Sequence, residues 1–283
     1  MMRGLALVAH HERSTAREHA LRALQWCTER AVPFWMTPDD AAAVRLDEHA
    51  SVRPIAEADL VLSLGGDGTM LRSVRLLEGS AVPLLGVNLG SLGYLTEVEP
   101  DRLTDALDRF VSGEHEGRWH LDERMMLDVS VNDVRVGRAL NEAVVEKAQS
   151  GHTVRLLARI DGEPFTYYAA DGLIVATPTG STAYSLSARG PIVSPRHRAM
   201  LLTPVSPHML FDRTLVLDPS EAIEIEVTGH RRAELTLDGQ AVASLDDGDV
   251  VACWPSSATA NFVRFGAERY HQILKAKFGL ADR

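Results

Sequence analysis

The chain is predicted to join an N-terminal α/β domain, a Rossmann-like parallel sheet with helices, to a C-terminal, mainly antiparallel β domain. Three observations carry that expectation. The first hundred or so residues alternate apolar strand-like runs with segments of helical period, which is the pattern of a parallel sheet covered by helices. Around Gly113 to Arg118 the pattern changes, and short alternating runs continue to about Phe265. Turn pairs such as Asn132-Asp133, Asp161-Gly162 and Asp247-Gly248 separate several of these runs. The expected domains are therefore 1–117 and 118–265, with a terminal helix over 266–283 packing back on the first.

In order, Leu5–Ala9 reads as a strand, and Ser14–Arg30 as a helix with Ala20, Leu21, Leu24 and Cys27 on one face. Pro33–Met36 is a short strand candidate and Asp59–Leu64 a stronger one. A helix is expected to start at Thr69 and run over Met70–Leu77. Pro83–Val87 reads as a buried strand, and Asp101–Val111 returns to a helical period. In the second half, strands are expected at Met126–Val131, Val154–Ile160, Leu173–Ala176, Ile223–Val227, Leu235–Leu237 and Val250–Trp254, with helix again over Glu268–Phe278. In such α/β sheets ligands bind at the carboxyl ends of the strands. Both glycine-bearing loops of the first domain, 65–68 and 88–93, fall at such ends.

Bulk properties exclude several functions. The 283 residues are 45% hydrophobic and 24% charged, as in ordinary globular proteins, and no apolar run approaches the ~20 residues that cross a bilayer. Met1–His10 holds only a short apolar segment and no small-residue cleavage site, so it is expected to be a first strand and not a signal peptide. Cys27 and Cys253 lie far apart without metal-type spacing, so a reducing, cytoplasmic setting is expected. A net charge of −10, from 29 basic and 39 acidic residues, lacks the basic footprint of a nucleic-acid binder. There is neither a membrane nor a nucleic-acid signature.

The strongest chemical signal is Gly65-Gly66-Asp67-Gly68-Thr69, directly after the apolar run Leu60–Leu64. Glycines permit positive φ and close approach of an anion to bare backbone, and a following helix turns its free N–H groups to the same place. Asp67 there suits acceptance of a proton from an attacking hydroxyl, the holding of a metal, or a helix cap. Arg72, one turn on, is placed to contact the same anion or to face solvent. Asn141-Glu142, an amide beside a carboxylate at a strand junction, suits ribose hydroxyls or a base edge, or an ordinary turn. The run Asp171–Ser187 takes a strand into Thr177-Pro178-Thr179-Gly180-Ser181-Thr182-Ala183-Tyr184, which concentrates backbone amides and short hydroxyl donors at one helix start. Leu237-Asp238-Gly239-Gln240 reads as a type I′ hairpin turn. The histidines show no metal-site spacing; His152 and His208 read as satisfied polar residues. Neither a GxSxG elbow nor a P-loop is present, and no residue is assigned to a metal.

Together these segments, in their order and approximate spacing, resemble the NAD kinase family. Asn88–Leu95 and Pro204–His208 are similar to further family segments, and the likeness spans residues 59–265. The glycine turn alone also resembles diacylglycerol and sphingosine kinases and, more loosely, phosphofructokinases; the Thr177–Tyr184 run is far more specific. The resemblance implies phosphoryl transfer from ATP, or polyphosphate, to the 2′-hydroxyl of the adenosine ribose of NAD, giving NADP. It implies Asp67 as proton acceptor. It also implies a binding set of Gly66, Gly68, Thr69, Arg72, Asn141, Glu142, His152, Asp171, Thr182, Ala183, Tyr184, Ser185, Ser187 and Gln240, with the dinucleotide between the domains. A divalent cation, most simply Mg²⁺, and a homodimer or homotetramer are implied as well. Two positions depart from the family pattern: Ala169, where many members carry arginine, and Arg189, where many carry glycine. They leave the choice between NAD and NADH open. The rival readings are a lipid or sphingoid-base kinase, which the polar Thr177–Ser187 segment opposes, and a non-catalytic dinucleotide sensor, which would not need Asp67.

Overall fold

The computed structural model describes residues 2–113, 118–266 and 270–280. Residues 1 and 114–117 of the expected first domain, and residues 267–269 and 281–283 of the expected terminal helix, lie outside the described residues. The chain divides into two compact units, Met1–Glu123 with Ala260–Arg283, and Arg124–Thr259.

The chain opens with β1 (Leu5–Ala9), α1 (Ser14–Glu29), β2 (Phe34–Met36), α2 (Pro38–Val44), β3 (Leu60–Gly65), α3 (Asp67–Leu76), β4 (Leu84–Asn88) and α4 (Leu103–Val111). Then follow β5 (His120–Val131), β6 (Val134–Ala139), β7 (Glu142–Lys147), β8 (Val154–Ile160), β9 (Glu163–Ala170) and β10 (Gly172–Ala176). The last elements are α5 (Tyr184–Ser187), β11 (Met200–Val205), β12 (Leu215–Leu217), β13 (Ile223–Val227), β14 (Ala233–Leu237), β15 (Gln240–Leu245), β16 (Val250–Arg264) and α6 (Tyr270–Lys277).

In the first unit, β2, β1, β3 and β4 pair side by side and all parallel. The end of β16 joins β4 in the same sense at Phe262–Leu84. Strands β1, β3 and β4 are buried along their whole length, which is why they read as unbroken apolar runs instead of alternating ones. Their core takes in Ala16, Ala20, Ala23 and Cys27 of α1 and Leu103, Ala106 and Leu107 of α4. The register sets Gly65 beside Asn88, so the two glycine loops leave the sheet as neighbours.

The second unit is antiparallel throughout its described pairings. One sheet runs β12-β11-β10-β7-β14-β15, and β16, β13, β8 and β9 pair in a second, with β5 paired to β6. Alternation is clear in β13, where Ile223, Ile225 and Val227 are buried between the outward Glu224 and Glu226. These residues join Leu156, Tyr168, Leu173, Val175, Leu202 and Leu235 in one core. Asn132-Asp133 and Asp238 adopt positive φ at hairpin tips, as the turn pairs require. No helix of the described residues is long and apolar enough to cross a membrane.

Several elements differ from the sequence reading. Helix α3 starts at Asp67, not Thr69, so Asp67 is its first residue and Gly66 its cap. The helix expected from Asp101 begins at Leu103, after a 3₁₀ turn over Pro100–Arg102. Strand β16 continues through Pro255 to Arg264; its pairing with β13 ends at Cys253, so the ring removes no hydrogen bond of that ladder. Strand β9, which the sequence does not predict, carries Pro164 as its second residue and lies at a sheet edge, where proline is tolerated.

The unexpected helix α2 places a buried carboxylate at the centre of the first unit. Thr37 caps α2, with Pro38 at its first position. Asp40, fully buried, accepts the Ala9 N–H at 2.9 Å and the Thr37 hydroxyl at 2.6 Å. It is ion-paired to Arg72 and lies 3.3 Å from His11 Nε2. The carboxylate thus ties the end of β1 to α2 and α3. Asp40→Ala strands the Arg72 charge and should lower unfolding free energy by about 3–5 kcal/mol, read as a drop in the urea midpoint.

Candidate active site

In the first unit, Asp67 is half-buried at the start of α3. It does not cap the helix. Its carboxylate accepts the Tyr94 N–H at 2.9 Å and the Leu95 N–H at 3.0 Å, both directly after the second glycine loop. That loop is anchored in turn where Leu89 N–H donates to Gly65 O at 2.9 Å. Gly93 is required for this arrangement, because a Cβ there would overlap the Asp67 carboxyl group. None of Gly65, Gly66 and Gly68 has positive φ. What Gly66 and Gly68 offer is bare backbone, since nothing lies within 4 Å of a Cβ built on either. Ten-residue α3 turns its first N–H groups to the same side, and an anion there meets main chain directly.

Thr69 is buried in the first turn of α3. Arg72 is turned elsewhere: it pairs with Asp40, and its Nη2 donates to Ala9 O at 2.6 Å. Its guanidinium is therefore committed to the end of β1 in this structure.

In the second unit, Asn141-Glu142 opens β7 and is held by a residue that sequence reading left as a plain turn. Asp238, at the β14–β15 hairpin tip, accepts the N–H groups of Leu140, Asn141 and Glu142 at 2.8, 2.7 and 3.1 Å. On the other side, Thr177 N–H donates to Asn141 O at 2.9 Å. Gly180 lies so close that a Cβ would collide with the Asn141 carbonyl. Glu142 is buried, and its Oε2 has no hydrogen-bond partner. Burial, then the Asp238 charge, push its carboxyl up to about 8 against a hydrogen bond from the Tyr184 backbone. A buried acid in that state is neutral at pH 7 and can donate as well as accept.

The Thr177–Ser187 run folds differently from the expectation of outward hydroxyl donors. Thr177 Oγ1 donates to Leu140 O at 2.6 Å, Ser181 Oγ to Pro178 O at 2.7 Å and Thr182 Oγ1 to Thr179 O at 3.3 Å. Ser185, fully buried, shares a 3.0 Å hydrogen bond with Thr203. These hydroxyls satisfy the chain's own buried groups, as desolvation demands. Tyr184 and Ser187 are exposed, and Thr182 and Ala183 half-buried. Burial first, then the carboxylates of Glu146, Asp171 and Glu142, raise the Tyr184 phenol above its usual value.

Asp171 is paired with Lys147, whose Nζ is 2.6 Å from its carboxylate; Lys147 carried no signal in the sequence. His152 is exposed and lines a cavity of about 420 Å³ with Lys147, Thr153, His230, Arg231 and Arg232. Gln240, just past the hairpin tip, is exposed. Arg189 is exposed with φ of +68°, a conformation natural to glycine and strained for arginine. Among the described residues no three His, Cys, Asp or Glu side chains converge as a metal cluster.

Comparison with known proteins gives a consistent result. Residues 5–115 match the ATP-NAD kinase N-terminal domain and residues 140–265 the ATP-NAD kinase C-terminal domain. An NAD kinase of Heliobacterium modesticaldum is 39% identical over 281 residues, covering 96% of this chain and 97% of the relative. One from Moorella thermoacetica is 39% identical, covering 98% and 89%. Among solved structures, a yeast NADH kinase in complex with NADH superposes with a TM-score of 0.89 at 26% identity, covering all of this chain and 89% of the other. An NAD kinase from Archaeoglobus fulgidus in complex with ATP gives 0.75 at 26% identity, covering 98% and 100%.

The state of Glu142 makes a testable statement about stability. Its folded value, about 8, lies above its ordinary 4.5. The contribution is therefore fully present below about 4.5 and is lost as pH rises through about 8. Ligand-free protein should lose stability across that window with a slope approaching 1.4 kcal/mol per pH unit, about one proton's worth. Glu142→Gln should flatten the curve, as read from urea midpoints at a series of pH values.

Proposed function

The chain belongs to the NAD kinase family and phosphorylates NAD to give NADP, and on that premise we propose that Asp67 accepts the proton of the 2′-hydroxyl of the adenosine ribose as it attacks the terminal phosphoryl group of ATP. The observation that carries this is a half-exposed carboxylate whose two oxygens are each fixed by a backbone N–H, beside the bare backbone of Gly66 and Gly68. Fixing the acid leaves lone pairs for a hydroxyl and keeps the proton acceptor in one orientation. The first turn of α3 and the glycines hold the phosphates of the donor by main chain. Polyphosphate presents the same groups and is a second donor in this reading.

In the second unit, Glu142 and Asn141 hold the dinucleotide. The unpartnered Oε2 of Glu142 suits a ribose hydroxyl, which would satisfy a group now buried without a partner. Asp171, Tyr184 with the adjacent main chain of Thr182–Ser187, His152 and Gln240 form the remainder of that set. A divalent cation, most simply Mg²⁺, fits a site of this kind. Mg²⁺ generally keeps its waters and binds substrate phosphates instead of entering an all-protein cage, so it would be held chiefly by the donor's phosphates and leave Asp67 free as the proton acceptor. When bound, it offsets the charge of the donor's phosphates. The reading extends to a cytoplasmic homodimer or homotetramer, with Cys27 and Cys253 buried as free thiols; light scattering on purified protein tests the assembly.

Asp67→Asn should keep NAD affinity and lose on the order of 10²–10⁴-fold in turnover, the usual worth of a general base; turnover near wild type would refute the proton-acceptor role. Gly93→Ala, which pushes on the same carboxyl group, should lower kcat by at least about tenfold with a small change in KM for ATP, because the acid moves and the phosphate-binding turn does not. Both are measured as NADP formed from Mg-ATP and NAD, with a lipid alcohol as the control acceptor.

A further inference from the structure

We infer that Arg155 binds a phosphate group of the dinucleotide substrate and sets affinity for it, an assignment that rests on the function proposed above. Arg155 lies on β8 directly opposite Ala169 of β9. On its other side Thr228 N–H donates to Arg155 O at 2.9 Å, one step beyond the Val227–Leu156 pair. Cross-strand partners project to the same face of a sheet, so Thr228, Arg155 and Ala169 form one row. The row lines a cavity of about 420 Å³ together with Tyr167, Tyr168 and Gly229.

Three properties of this row point to an anionic ligand. Arg155 is exposed, and among the described residues its guanidinium has no hydrogen-bond or ion-pair partner. In a chain of net charge −10, where most arginines are engaged by carboxylates or carbonyls, an unpaired guanidinium in a cavity is a fork of donors shaped for phosphate. The Thr228 Oγ1 is buried and lacks a partner, so a ligand oxygen there would satisfy it. The methyl group of Ala169 leaves the guanidinium room over the strand. Tyr167, two-thirds exposed, offers a ring face beside the phosphate position.

Continuity ties this cavity to the dinucleotide set instead of to the donor's glycine turn. Ala169 lies two residues before Asp171, the partner of Lys147. The cavity lined by Lys147, His152, Thr153 and Arg231 reaches to within two residues of Arg155 along the chain, and Thr228 and Gly229 of one cavity run directly into His230, Arg231 and Arg232 of the other. The assignment is thus to a phosphate of NAD, not to ATP.

The test is steady-state kinetics of Arg155→Ala, Ala169→Arg and the double variant, with NAD and Mg-ATP varied separately. Arg155→Ala should raise KM for NAD on the order of ten- to a hundredfold, the loss expected for a charged donor to phosphate. It should leave KM for ATP and kcat within about threefold. Placing the guanidinium on the opposite strand, Arg155→Ala with Ala169→Arg, should recover most of the loss, which a merely structural residue would not do. An unchanged KM for NAD, a rise confined to KM for ATP, or no recovery in the double variant would each overturn the assignment. Wild-type conversion of NAD to NADP tests the activity itself, so failure of the Arg155 assignment is separable from failure of the function.

Discussion

The candidate site of the first unit depends on a carboxylate held by backbone from the loop that follows the neighbouring strand. The N–H groups of Tyr94 and Leu95 reach Asp67 across 27 and 28 residues of sequence. The contact exists because β3 and β4 are adjacent and parallel, with Gly65 level with Asn88. Their following loops therefore leave the sheet side by side, at the carboxyl ends where α/β sheets place ligands. Charge-assisted hydrogen bonds of this kind contribute about 1.5–3 kcal/mol each, enough to hold one rotamer against solvent. The loop that holds Asp67 is itself secured: the Arg13 guanidinium donates to Leu89 O, and Lys277 of α6 lies 4.8 Å over the Tyr94 ring.

The second unit uses the same device with the opposite result. Asp238 gathers three consecutive backbone N–H groups and so fixes where β7 begins. That fixed start carries Glu142 into the interior, where one oxygen meets the Tyr184 backbone and the other nothing. Asp67 is half-exposed with both oxygens bonded; Glu142 is buried and raised to about 8. Two carboxyl groups in different surroundings can take different roles in one reaction. In the proposed function the proton acceptor sits where water and backbone support it, and the proposed ribose-binding acid where a ligand hydroxyl would complete its hydrogen bonding.

The sequence carried the fold wherever burial made its own pattern. The unbroken apolar runs of β1, β3 and β4 and the alternation of β13 are direct images of two-sided and one-sided burial. The NAD kinase motifs were legible because their residues are contiguous. The tethers were not, since Tyr94 and Leu95 act through main-chain N–H groups that any residue possesses. Helix α2 had a readable start in Thr37-Pro38-Asp39-Asp40, but its seven residues leave too little periodicity to register. Arg72 lies where an anion-binding arginine is expected. Only the position of Asp40 on α2, a tertiary fact, decides that its guanidinium turns to the end of β1.

The hydroxyl-rich Thr177–Ser187 run reads differently once its bonds are known. A loop that crosses the interior must satisfy its own carbonyls, and Thr177, Ser181 and Thr182 do so for Leu140, Pro178 and Thr179. The short side chains let the backbone pass close, as at Gly180 against the Asn141 carbonyl. In the proposed function, recognition by this segment falls to its main chain and to the exposed Tyr184 and Ser187, while the hydroxyls of Thr177, Ser181 and Thr182 keep that main chain in place. The composition that looked like a row of ligand donors is the condition for a rigid, close-packed backbone, and a substitution such as Thr177→Val acts first on the position of Asn141 and Glu142 and only through them on the dinucleotide.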